Sequence, residues 1–104
     1  MDKKRGKEKS NDNYETIYVA AHPTRSNILA QLESQKMYAS KLEEKIAVDR
    51  KIISFHLSKL EKAGLVSSEY GLMTSKIRPM AVRYYSLTSE GEKIVKKLKA
   101  MLSD

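Results

Sequence analysis

The sequence predicts a mainly α domain with a small β-hairpin: about five helices, a two- or three-stranded hairpin around a basic loop, and one hydrophobic core. Three observations carry that expectation. Apolar residues recur at helical spacing through most of the chain before Leu65, two runs rich in Val, Tyr and Leu then flank a lysine- and arginine-bearing connection, and 104 residues leave room for a single core. The formal charge of +7 makes a polyanion the first partner to consider. The alternative is a merely lysine-rich soluble protein, and the placement of the charges decides between them.

Residues 1–13, MDKKRGKEKSNDN, carry no apolar side chain after the initiator and mix both signs of charge. Such a segment cannot offset the entropy of ordering, so a disordered basic arm is expected, either a solvated tail or an arm tracking phosphates. The remainder, 14–104, is expected to form one domain. Asn13 is placed to cap a first helix in which Tyr14, Ile17, Tyr18 and Ala21 repeat at i, i+3, i+4 and i+7. That helix stops near His22, because Pro23 disfavours helical geometry in the residue before it. Pro23 suits the first turn of a second helix, expected to reach about Gln35 with Ile28, Leu29 and Leu32 facing inward.

Met37 and Tyr38 interrupt the helical pattern as a short extended piece. Ser40 with Glu43 forms a capping-box pattern at the start of a brief third helix, with Leu42 and Ile46 as its apolar contacts. Asp49 is the expected N-cap of a fourth helix that runs to Ala63, where Gly64 supplies a left-handed end. At about 100° per residue, Ile53, His56, Leu57 and Leu60 fall on one side of it and Lys51, Ser54, Phe55, Ser58 and Lys62 on the other. One side is for a core and the other for a partner.

Val66 to Leu72 and Ala81 to Leu87 read as the strands of the hairpin, with MTSKIRPM between them. Pro79 cannot donate to a ladder and belongs to the loop or its margin. Thr88 or Ser89 caps the last helix, Ser89 with Glu92 as a second capping-box pattern. Gly91, Ile94, Val95, Leu98, Met101 and Leu102 make an apolar stripe along it, opposite several lysines.

Several function classes are excluded or disfavoured. Without cysteine there is no disulfide or thiolate metal site, and two histidines do not fill a zinc site by themselves. There is no glycine-rich phosphate loop, nucleophile elbow or facing carboxylate pair, so no enzyme and no cofactor are expected. No run has the apolar length of a membrane span and the N-terminus lacks a signal-peptide core, so no membrane partner and a cytoplasmic location are expected. Ser54 and His56 do not form a catalytic pair, because residues two apart on a helix do not face one another. His56 is expected to be a partly buried structural residue, and His22 a structural residue at a helix junction.

A short helix, a tight turn, a longer helix with a polar outer face and a following basic hairpin describe a winged helix-turn-helix, whose second helix fits a major groove about 12 Å wide. AHPTR at Ala21 to Arg25, ISFHLSKLEKAGLV at Ile53 to Val66 and YYSLTSEG at Tyr84 to Gly91 together resemble the ArsR-like winged helix-turn-helix transcriptional regulators. The resemblance covers nearly everything after the arm, and is especially close to small archaeal-type members. It implies a homodimer joined mainly through the first and last helices, the fourth helix in the major groove and the wing on flanking backbone or minor groove. Where the metal-sensing branch has cysteines in its third helix, this chain has SKLEEKI, so metal sensing in that manner is ruled out. The last helix offers lysines where an oxygen and nitrogen site needs carboxylates and histidines. The effector is unknown.

The expected DNA-binding residues are Arg50, Lys51, Ser54, Phe55, Ser58 and Lys62 on the fourth helix, and Lys76, Arg78 and Arg83 on the wing. Arg50 and Lys51 reach toward phosphates or guanine, and Lys59 and Lys62 toward phosphates. Phe55 has two readings, contact with a thymine methyl or packing back against the hairpin. Arg25 likewise suits either a carboxylate near the turn or DNA. The expected dimer interface comprises Tyr14, Ile17 and Tyr18 with Ile94, Val95, Leu98, Met101 and Leu102. Double-stranded DNA is thus the expected partner, read at half-sites about 34 Å apart by a two-fold dimer. A winged helix used as a protein-interaction module of the transcription machinery is the alternative.

Overall fold

A computed structural model describes residues 14–74 and 77–102. The arm at 1–13, the Asn13 cap and Lys76 lie outside the described residues. The first helix, α1, covers 14–21. It is followed by α2 (Pro23–Leu32), β1 (Met37–Tyr38), α3 (Ala39–Ile46), α4 (Arg50–Lys62), β2 (Val66–Met73), β3 (Met80–Leu87) and α5 (Ser89–Leu102).

The strands form one antiparallel sheet in the order β1-β3-β2. The hairpin runs in unbroken register from Val66 opposite Leu87 to Met73 opposite Met80, and β1 pairs Met37 with Tyr85 and Tyr38 with Tyr84. Met37 and Val66 are buried at the base of this sheet, where it meets the helices. The core is completed by Ile28 and Leu29 of α2, Leu42 of α3, and Ile53, Leu57 and Leu60 of α4, each no more than 1% exposed. Ala20 of α1 and Ile94 and Val95 of α5 close it.

The cap chemistry explains most boundaries. His22 stands outside the helical region and its Nδ1 accepts from the Thr24 amide at 3.1 Å, capping α2 with Pro23 at the first position. The Asp49 carboxylate accepts from the Lys51 amide at 3.0 Å and starts α4. That helix ends in a Schellman motif: the Gly64 amide donates to the Glu61 carbonyl and the Leu65 amide to the Leu60 carbonyl, with Gly64 at φ +79°.

Two expected boundaries are corrected, and at a third one of two expected caps is found. Helix α2 stops at Leu32, and 33–34 form a turn. Ser40 with Glu43 is not a capping box, because the extended Tyr38 leads straight from β1 into α3 and puts Ser40 inside the helix. Glu43 instead accepts from the amide of Arg50 at 3.2 Å, across the turn. At α5 the cap is Thr88 rather than Ser89, since Gly91 donates to Thr88 Oγ1 at 3.0 Å.

Thr88 also joins the two ends of the motif. Its hydroxyl donates to the Gly64 carbonyl at 2.7 Å and its amide to the Leu65 carbonyl at 3.1 Å. The first turn of α5 is thereby drawn so close that a Cβ on Gly91 would overlap the Leu65 carbonyl and press on Leu87. Gly91→Ala is expected to lower the unfolding free energy by about 1–3 kcal/mol. Helix propensity alone has the opposite sign and favours alanine by nearly ~1 kcal/mol, so urea unfolding of the variant distinguishes crowding from propensity.

Candidate nucleic-acid interface

Helices α3 and α4 meet at a turn in which Ala47 adopts a left-handed conformation, φ 64°, its amide donating to the Glu43 carbonyl at 2.8 Å. Nothing in the residues around Ala47 signals this, since glycine or asparagine is the usual occupant. Glu43 holds both sides of the turn, because its carboxylate takes the Arg50 amide and lies 3.4 Å from Arg50 Nε. The angle at which α4 leaves α3 is therefore set by the left-handed residue and one carboxylate.

On α4 the division expected from spacing is found. Ile53, His56, Leu57 and Leu60 are buried, whereas Arg50, Lys51, Ser54, Phe55, Ser58 and Lys62 are exposed. Lys51 and Lys62 reach no carboxylate among the described residues, and Ser54 and Ser58 offer short hydroxyls between them. Phe55 does not pack on the hairpin: it is 56% exposed, with its ring edge against His56 and Lys59 Nζ 5.3 Å above it. Ile52, one turn before Phe55 and 47% exposed, extends this apolar strip and was not singled out by the periodicity. An exposed isoleucine at i−3 from an exposed phenylalanine is the signal that marks it.

The wing carries two arginines among the described residues. Arg78 is exposed in the connection between β2 and β3. Arg83 already has partners within the domain. Its guanidinium lies 3.3 Å from Glu61 and its Nε donates to Ser68 Oγ at 2.9 Å, over the Tyr85 ring. It braces the end of α4 against the sheet. Arg25 takes no carboxylate among the described residues: Nε donates to the Val19 carbonyl at 2.7 Å and Nη1 lies 3.2 Å from His56 Nδ1.

The terminal helices leave an uneven surface. Tyr14, Tyr18, Met101 and Leu102 are 77%, 79%, 60% and 85% exposed, and Ile17 and Leu98 are partly buried against the core. Ile94 and Val95, also expected at the interface, are buried within their own domain. Tyr14, Ile17, Tyr18, Val19 and Ala21 line an open apolar surface on α1, and Pro23, Ala30, Val95, Leu98 and Leu102 line a groove between α2 and α5. Among the described residues no group of His, Asp and Glu could hold a metal ion, and no helix is long and apolar enough to cross a membrane.

A helix-turn-helix with one face of its second helix outward, followed by a hairpin, is the winged form of a DNA-binding module. Residues 22–68 match the family model described as bacterial regulatory protein, arsR family. Among solved structures, reduced HlyU from Vibrio cholerae aligns at TM-score 0.72 and 18% identity, covering 96% of this chain and 98% of that one. The transcriptional repressor BigR from Xylella fastidiosa aligns at TM-score 0.70 and 19% identity, covering 96% and 92%. A possible transcriptional regulator for arsenical resistance aligns at TM-score 0.62 and 29% identity, covering 86% and 85%. A search of curated protein sequences finds no match. The fold is that of a winged helix-turn-helix, and residues 22–68 within it resemble the ArsR-like DNA-binding transcriptional regulators.

His56 is 6% exposed, and burial lowers its pKa from the ordinary 6.5, with His22 and Arg25 adding to the effect. Its folded value thus lies below its unfolded one, so between the two the unfolded chain binds the extra proton and stability falls with falling pH. The urea midpoint is expected to drop as pH is lowered through 6.5, and His56→Gln is expected to remove part of that drop.

Proposed function

We propose that the protein is a homodimer that binds double-stranded DNA sequence-specifically, with α4 in the major groove and the wing, about 72–81, on flanking DNA. The observation that carries this reading is the two-sidedness of α4. The same helix that gives Ile53, Leu57 and Leu60 to the core holds Lys51, Ser54, Ser58 and Lys62 outward on one rigid surface. A helix of 13 residues is about 20 Å long, enough to lie in the groove for its first two turns while its end stays in the domain.

Within that reading the roles divide by chemistry. Lys51 and Lys62 neutralise phosphates and fix register, whereas Ser54 and Ser58 are short enough to approach base edges. Ile52 and Phe55 offer apolar contact to a thymine methyl. Arg50 is shared between Glu43 and a phosphate, so DNA competes with a contact the free protein already has. Tyr14 and Tyr18 of α1 with Met101 and Leu102 of α5 are the apolar surface that a second copy covers, with Ile17 and Leu98 at its margin. The protein acts in the cytoplasm as a binder and not as a catalyst.

Selection of bound duplexes from a random pool tests sequence preference and half-site spacing together. A palindromic consensus with half-sites about one helical turn apart is expected. Failure to bind any duplex at low salt overturns the reading and favours the protein-interaction module. Lys51→Ala is expected to weaken binding to all sequences alike and to reduce the slope of log K against log salt by about 1. Ser54→Ala is expected to relax preference at one base pair with little change in that slope.

A further inference from the structure

The chain has two histidines, and the fold brings both to one place. The rings of His22 and His56 lie 4.5 Å apart between centroids, with Arg25 beside them. Arg25 spans three segments: it belongs to α2, donates from Nε to the Val19 carbonyl of α1 at 2.7 Å, and sets Nη1 3.2 Å from Nδ1 of His56 on α4. A guanidinium has donors only and stays charged at any accessible pH. The bond to His56 therefore exists only while Nδ1 keeps its lone pair, and the imidazole decides whether it forms.

Two groups that are charged or titratable face His56: Arg25 from α2 and His22 from the α1–α2 junction. The carboxylates near the ends of α4 are engaged elsewhere, Glu43 of α3 with Arg50 and Glu61 with Arg83 of β3. On its own helix His56 touches the ring of Phe55, over which Lys59 sits. A proton on His56 would meet cations and no carboxylate among the described residues, and would set two N–H groups against each other.

We propose that Arg25 and His56 are positioning residues for DNA recognition, forming a clasp that holds the reading helix against the α1–α2 junction while His56 is neutral and opens when His56 takes up a proton. This rests on the DNA-binding reading of α4. His56 lies midway between the outward Ser54 and Ser58, so a shift of its ring displaces the residues assigned to base edges. The sign of the effect is diagnostic. Adding positive charge near a polyanion ordinarily tightens binding, whereas opening the clasp weakens it.

Anisotropy titrations of the full chain on its selected duplex, at constant ionic strength, test the proposal at about pH 8 and about pH 5.5. Wild-type affinity is expected to fall roughly tenfold or more on acidification. His56→Gln keeps an acceptor for Arg25 without a titrating group, so it is expected to bind as the wild type does at the higher pH and to lose the acid response. Wild-type binding that tightens on acidification, or an unchanged acid response in His56→Gln, overturns the clasp. The DNA-free wild type gives an independent reading by NMR. A neutral His56 protonated on Nε2, titrating below the ordinary histidine value together with amide shifts at Ser54 and Ser58, supports it. Titration at the ordinary value without those shifts refutes it. If the wild type binds no duplex, the DNA-binding reading fails and the NMR result alone decides the clasp.

Discussion

Ile53, Leu57 and Leu60 of α4 are almost fully removed from solvent, and the rest of the molecule is arranged around keeping them so. Burying such side chains is worth about 1.5–3 kcal/mol each. A helix of this length is marginal in water by itself, so tertiary packing, not propensity, makes α4 a rigid object. Its outer serines and lysines inherit that rigidity. A residue on a mobile loop would lose freedom on binding, whereas one on α4 has already lost much of it.

Both ends of α4 are held, and by different chemistry. At the start, Asp49 caps the helix, Ala47 turns the chain and Glu43 ties the turn to Arg50. These contacts are exposed and individually weak. At the end, the Schellman motif, the Thr88 hydroxyl and the missing Cβ of Gly91 join α4 to α5 at backbone level. The outer-facing end of the motif is thus adjustable, while the end joined to α5 is fixed. A change in how α5 packs reaches α4 through backbone groups, with no intervening flexible side chain.

The order of elements and the two faces of α4 were legible because both follow from periodicity, which a single sequence displays directly. Boundaries were legible where the capping group is local, as at Asp49 and Gly64. Ser40 misled because a capping box requires the helix to begin there, and pairing of Met37 and Tyr38 with β3 moves the start forward. Ile94 and Val95 illustrate a different limit. Periodicity shows that a face is apolar but not whether its own domain or a second chain covers it, and here the inner part of the stripe is core while Met101 and Leu102 remain outside. Arg83 and Arg25 are long side chains with partners distant in sequence, Arg83 at Glu61 and Ser68 and Arg25 at His56. No local pattern announces such pairs. Ala47 shows the converse, a backbone conformation imposed by the turn against the preference of the residue.

The shortness of β1 bears on the wing. It braces β3 at Tyr84 and Tyr85 and nowhere else, so the pairs from Tyr70 and Arg83 outward to Met73 and Met80 form a two-stranded ribbon with Tyr70 and Leu72 largely exposed. Such ribbons twist more strongly than broad sheets. Mechanically the ribbon is a cantilever, clamped at its root beside the core. Its reach and its compliance therefore rise together with the number of strand pairs beyond the clamp, and a longer β1 would give a stiffer arm of the same span.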